Sequence, residues 1–167
     1  ISKLVSHSCG SIARDLLQQG VKKFDIRGWE AKGYCRQVRD LQSYYDISMD
    51  MLDRDIRSEV FPASRPVFTR VRDEVSAKYG LDSAVRNSLV ADGCIIEGEI
   101  ENCILFRGVT VGKGAVLRNC IIMQNTNVSD KAQLSYVIAD RRCDIKPERT
   151  ISGYKSYPVV ICGESIV

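Results

Sequence analysis

At 167 residues, 44% hydrophobic and 27% charged, the chain has the make-up of a folded globular protein and not of a disordered one. Its formal net charge of +3 is too small to suggest nucleic acid or an anionic membrane as a partner. No apolar run reaches the roughly 18 residues that a membrane-crossing helix requires, and the first residues lack the pattern of a secretion signal, so a cytosolic protein with small-molecule or protein partners is expected.

The chain starts at Ile1 and not at an initiator Met, which suggests a piece of something longer. Its seven cysteines are odd in number, scattered, and contain no C-x-x-C pair, so free thiols are expected and not a disulfide framework or a zinc site. The single histidine, His7, reads as a surface or structural residue, the commoner role of a lone histidine than ligand or base.

In chain order, Ser11–Gly20 has a polar start, apolar residues at helical spacing and a terminal glycine, which predicts a short helix. Residues 24–38 read as extended, with Trp29, Ala31, Gly33 and Cys35 alternating against polar neighbours, as in a strand with one packed face. From Asp40 to Leu52 the period becomes helical: Leu41, Tyr45, Ser48 and Leu52 share one stripe, with Tyr44, Ile47 and Met51 beside it. Pro62 and Pro66 bracket a breaker segment, Val67–Val71 then predicts a strand, and residues 73–80 an irregular connection.

From Val85 the sequence repeats itself. Val85-Arg86-Asn87-Ser88-Leu89 returns at Ile100–Ile104 and Leu117–Ile121, and more loosely at Leu134–Ile138, with spacings of 15, 17 and 17 residues. Ile96, Val111, Val128 and Ile145 travel in a second phase, Ala115 and Ala132 in a third. Within each repeat the apolar residues recur about every six positions, with Gly93, Gly108, Gly112 and Gly114 near the breaks, so each turn has three short sides with corners that tolerate positive φ. This predicts a three-sided parallel β-helix of about four coils, stacked at about 4.8 Å. Its core is expected to be Leu89, Ile104, Ile121 and Ile138 together with Ile96, Val111, Val128 and Ile145. Periodicity leaves the hand of the coil open.

In this frame Cys103 and Cys120 share a slot with Ser88 and Val137, which favours small stacked side chains over a reactive pair. Asn87, Asn102 and Asn119 form a column whose commonest use is side-chain bonding at a corner, with a polar binding ladder as the alternative. Arg107, Lys113, Arg118 and Lys131 read as a solvated outer face, or as a site for an anionic effector if they converge. An end of the solenoid needs a cap or a partner, and the tail from Ile151 to Ile161, with Pro158, is a candidate cap. There is no phosphate-binding glycine motif, no H-E-x-x-H and no Ser/His/Asp set.

The run Gly33-Tyr34-Cys35-Arg36-Gln37-Val38, followed by Leu41–Asp46, Met49–Leu52, Ala77–Gly80, Asn87–Gly98 and Val111–Val116, resembles the glucose-1-phosphate adenylyltransferase family over nearly the whole chain. The resemblance implies a Rossmann-like nucleotidyltransferase domain followed by a left-handed, hexapeptide-type β-helix used for subunit contacts and allosteric control. It divides this chain into residues 1–66, an α/β remnant of the first domain; 67–84, a linker strand; and 85–167, the β-helix. Gly33, Tyr34, Cys35, Arg36 and Gln37 would be a remnant of the substrate pocket, with no catalytic or metal-binding residue among them.

Catalytic members of the family read approximately G-Y-W-R-D-V-G-T where this chain has Cys35 for the Trp, Gln37 for the Asp, Arg39 for the Gly and Asp40 for the Thr. The Asp helps to hold a metal, so Gln37 removes a full negative charge and Cys35 an aromatic wall. The pattern is similar to the regulatory subunit type that accompanies the catalytic one in some Gram-positive bacteria. It implies no cofactor in this chain, Mg2+ in the full catalytic assembly, and a catalytic adenylyltransferase subunit or a second copy as partner. ATP and glucose-1-phosphate would be bound by the upstream domain. The rival readings are a hexapeptide acyltransferase, for which His7 lies outside the repeats, a pure β-helix scaffold, and a nucleotidyltransferase of another sugar or nucleotide.

Overall fold

The computed structural model describes Gln18 and residues 25–69 and 73–167. The chain forms two compact units, Ile1–Cys35 and Arg36–Val167. The predicted helix Ser11–Gly20, apart from Gln18, lies outside the described residues, as do His7 and Cys9.

Of the first unit, residues 25–35 carry neither helix nor strand. Trp29, Ala31, Gly33 and Cys35, expected to alternate on a packed strand, are all exposed, Trp29 at 85%. Alternation alone does not make a strand: its amides need a neighbouring strand, and residues 25–35 have none among the described residues.

In the second unit the helix read over Asp40–Leu52 is present as α1, Leu41–Asp50. Asp40 caps it by accepting from the Ser43 amide at 2.8 Å, while its own amide donates to Ser43 Oγ at 3.0 Å. Those bonds from Ser43 lower the Asp40 carboxyl's pKa. A second helix that the pattern did not predict, α2 at Arg54–Val60, starts where Asp53 Oδ1 accepts from the amides of Asp55 and Ile56, and Pro62 follows it closely. The strand expected at Val67–Val71 is absent over residues 67–69, where Val67 and Phe68 stand 63% and 92% exposed; residues 70–72 are outside the described set.

From Lys78 onward the chain is a parallel three-sided β-helix. The first face stacks Lys78–Tyr79, Ile95–Ile96, Thr110–Val111, Asn127–Val128 and Asp144–Ile145. The second stacks Ala84–Arg86, Glu99–Glu101, Val116–Arg118, Gln133–Ser135 and Thr150–Ser152, and the third Leu89–Val90, Ile104–Leu105, Ile121–Ile122, Val137–Ala139 and Val159–Ile161. The ladder therefore begins upstream of Val85, inside the segment read as irregular, with Lys78 paired to Ile95. At the far end the chain coils on to lie parallel to the last strand of the first face: the amides of Asp144 and Lys146 donate to Ser165 and Val167 carbonyls at 2.9 and 2.7 Å.

The repeat spacings are the register. Leu89 pairs with Ile104, Ile104 with Ile121, and Ile121 with Ile138. The prism interior is filled by Ile96, Val111, Val128 and Ile145 on the first face, Ile100, Leu117 and Leu134 on the second, and Leu105, Ile122 and Ala139 on the third. Each such Leu or Ile withdrawn from water contributes roughly 1.5–3 kcal/mol.

One assignment needs correction. Leu89, Ile104, Ile121 and Ile138 are not in the prism; they form the outward column of the third face, while their neighbours Val90, Leu105, Ile122 and Ala139 point in. Side chains alternate faces along a strand, and pairs such as Ile104-Leu105 and Ile121-Ile122 are apolar at both positions, so the pattern could not choose between them. What buries the outward pair Ile121 and Ile138 is α1, through Tyr45.

Two interior columns explain the buried cysteines. The Cys103 amide donates to Ser88 Oγ at 3.1 Å and the Cys120 amide to Cys103 Sγ at 3.3 Å, while each thiol donates to the carbonyl two residues earlier. Cys143 and Thr126 stack likewise: the Cys143 amide donates to Thr126 Oγ1 at 3.4 Å. These side chains satisfy amides at the corners, where the backbone ladder is interrupted. Burial pushes the thiols of Cys94, Cys120 and Cys143 up, which keeps them protonated and unreactive. Among the described residues no helix is long and apolar enough to cross a membrane.

Candidate functional site

The corners require the left-handed backbone region, and one corner is paved with the residues that tolerate it best. Asn87, Asn102, Asn119 and Tyr136 stack one above another with φ of 41°, 51°, 54° and 53°. Asn is favoured there because its short amide bonds locally; Asn87 Nδ2 donates to Asn102 Oδ1 at 2.7 Å. Tyr136 has no such compensation and costs about 1–2 kcal/mol in that conformation. Its ring packs instead against Tyr45, centroids 6.4 Å apart and tilted by 49°.

Tyr45 ties the helix to this corner. It is 3% exposed, lies over Ile121 and Ile138, and its hydroxyl donates to the Asn119 carbonyl at 2.8 Å. Burial of the phenol raises its pKa well above the ordinary value of 10.0. On the same helix Gln42 Nε2 donates to the Lys155 carbonyl at 2.8 Å and to Asp46 Oδ1 at 2.9 Å.

A cleft of about 840 Å3 opens between this corner and the two helices. Its floor is the column Asn87, Asn102, Asn119 and Tyr136; Tyr45, Asp46 and Asp50 of α1 and Ile56 of α2 form one wall, and Arg36, Gln37 and Lys155 the rim. Of the five residues expected to form a pocket remnant, Arg36 and Gln37 thus border the cleft, and Gln37 Oε1 accepts from Arg39 Nε at 3.2 Å. Gly33, Tyr34 and Cys35 belong to the other unit; Cys35 is an exposed free thiol and Gly33 has φ of 97°.

The asparagines were legible from their spacing and Tyr45 from the helical stripe, but Tyr136 and Lys155 were not singled out. The available signal was Tyr136 in the slot of three asparagines, an aromatic where a small amide is the rule. The basic residues Arg107, Lys113, Arg118 and Lys131 do not line this cleft; Arg118 pairs with Glu101 at 3.6 Å and Lys131 with Glu148 at 3.2 Å on the outer surface.

A prism of short parallel strands with left-handed corners and small stacked interior residues defines the hexapeptide class of β-helix. The chain belongs to the GlmU-like, C-terminal hexapeptide family, whose pattern matches residues 73–156. Its relatives include proteins named for glycogen biosynthesis and proteins named as glucose-1-phosphate adenylyltransferases. It is 41% identical over 149 residues to "Glycogen biosynthesis protein GlgD" of Bacillus subtilis, covering 87% of this chain and 43% of that protein. It is 50% identical over 70 residues to the protein of the same name from Geobacillus stearothermophilus, covering 42% of this chain and 20% of that one. Against "Glucose-1-phosphate adenylyltransferase" of Clostridium perfringens SM101 it is 30% identical over 163 residues, 94% of this chain and 41% of that protein. The chain thus spans about two-fifths of the length of the relatives it matches most extensively.

Proposed function

We propose that this chain is the carboxy-terminal part of a non-catalytic subunit of glycogen synthesis. In this role it assembles with a catalytic glucose-1-phosphate adenylyltransferase and modulates the conversion of ATP and glucose-1-phosphate to ADP-glucose and pyrophosphate. The observation that carries the reading is the state of position 37. Where the catalytic pattern has a carboxylate, this chain has a neutral amide whose oxygen accepts from Arg39 Nε at 3.2 Å. A Mg2+ ion prefers charged oxygen ligands, and Gln37 beside Arg36 and Arg39 does not fit one, which supports a metal held by the catalytic partner.

The similarity values point the same way. Identity is 41% with the GlgD protein against 30% with the adenylyltransferase, over stretches of 149 and 163 residues. ATP and glucose-1-phosphate would be handled by an upstream domain outside this chain, and the β-helix would supply the contact surface for the partner or a second copy. A cytoplasmic location goes with that role.

The test is an ADP-glucose assay on the full-length protein, alone and mixed with a catalytic adenylyltransferase subunit. The expected result is no ADP-glucose from the protein alone and an altered rate or effector response in the mixture. Robust synthesis by the protein alone overturns the reading. Co-assembly with no change in the partner's kinetics reduces it to a scaffold.

A further inference from the structure

The cleft adjoins a second groove of about 660 Å3; Asp46, Tyr136 and Lys155 line both. The second groove adds Gln42, Tyr154 and Ser156. Tyr154 and Tyr157 close a tight loop through two backbone bonds, each amide donating to the other's carbonyl at 3.1 and 2.9 Å, and Gln42 holds the Lys155 carbonyl between them. The loop is therefore preorganised, yet it leaves Tyr154 75% and Tyr157 77% exposed.

The chemistry along this path is rich in both donors and acceptors, with no excess of positive charge. Each asparagine amide offers two donor hydrogens and an acceptor oxygen, and the single Asn87–Asn102 bond uses only part of that capacity. From Asn87 to Tyr136 the column rises three coils, roughly 14 Å at about 4.8 Å per step. Arg36 and Lys155 at the rim are outnumbered by the three carboxylates of Asp46, Asp50 and Asp53, so a polyanion would meet more carboxylates than cations. Gln42, which lines the second groove, has its Oε1 buried without a hydrogen-bond partner, an arrangement that favours a ligand bringing a hydroxyl donor. Aromatic faces beside convergent amide groups, without a dominant charge, suit a ring that is apolar on its faces and hydroxylated at its edge.

We propose that the asparagine corner and the Tyr154 loop form one continuous track that binds a linear, neutral oligosaccharide, of the α-linked glucose type. The proposal rests on the glycogen-synthesis reading only for the identity of the sugar; the chemistry of the track stands apart from whether the subunit is catalytic. Binding there would let a subunit of ADP-glucose synthesis sense the polymer that its product feeds.

The test uses full-length protein with maltohexaose by titration calorimetry and with glycogen in native affinity gels. Wild type is expected to bind maltohexaose and to be retarded by glycogen. Tyr154→Ser, at an exposed side chain, and Asn102→Asp, which keeps a residue suited to positive φ, are expected to weaken both at least tenfold while circular dichroism is unchanged. No binding at millimolar maltohexaose overturns the proposal, as does equal binding by Tyr154→Ser or displacement of the sugar by inorganic phosphate at lower concentration. The ADP-glucose assay without glucan reads the subunit role alone, so failure of one reading is distinguishable from failure of the other.

Discussion

The β-helix and the segment that leads into it differ in how a residue acquires its place. In the helical prism, Ile122 has a neighbour one coil below in Leu105 and one above in Ala139, and every interior position is fixed by the register of the whole ladder. In residues 36–69 only Tyr45 is buried, and its burial is provided by the prism and not by its own helix. Sequence repetition makes the first region self-specifying, whereas the second is placed by single contacts across more than seventy residues of chain, such as Tyr45 to Asn119.

That contrast can be broken by substitution. Ile122→Ala removes a fully buried side chain from the prism and is expected to destabilise by about 2–5 kcal/mol in denaturant unfolding; a loss under 1 kcal/mol would mean that the coils slide to fill the gap. Asn102→Ala places a Cβ-bearing residue without local bonding at φ of 51° and removes the bond from Asn87. A cost of about 1–2 kcal/mol is expected, largely recovered by Asn102→Gly. Equal losses in both variants would assign the effect to the side-chain ladder and not to the backbone.

Tyr45→Phe sharpens the comparison in the leading segment. Loss of the hydroxyl bond to Asn119 should cost about 1 kcal/mol near neutral pH. Because the folded-state pKa of Tyr45 is raised, its contribution is complete below the unfolded value of 10.0 and falls as pH rises beyond it towards the folded pKa. Thermal unfolding of the wild type should therefore weaken above about pH 10 more steeply than that of Tyr45→Phe. The smallest effect is expected from Arg118→Gln, whose ion pair with Glu101 is 3.6 Å long and well exposed. It should change stability by about 0.5 kcal/mol or less and become undetectable in high salt.

How much was legible follows from the same physics. Spacings of 15 and 17 residues become the pairings of Leu89, Ile104, Ile121 and Ile138 because a coil must return to the same wall before it can hydrogen-bond to its predecessor. The alternation of Trp29, Ala31, Gly33 and Cys35 was misleading because the same pattern occurs in residues that face solvent. Likewise α2 was missed because a helix of seven residues carries too few turns for a periodic signal, and only its Asp53 cap marks it.

By itself the sequence determined the number of walls, the coil spacing, the asparagine corner and the absence of a carboxylate at position 37, because each of these is a matter of residue type recurring at a fixed interval. The tertiary structure alone decided which of two adjacent apolar residues faces inward. It alone set Tyr45 across Ile121 and Ile138, and made Arg36, Asn119 and Lys155 neighbours around one cleft. A strand's two faces differ only in what lies against them, and what lies against the third face is a helix that the repeat does not encode.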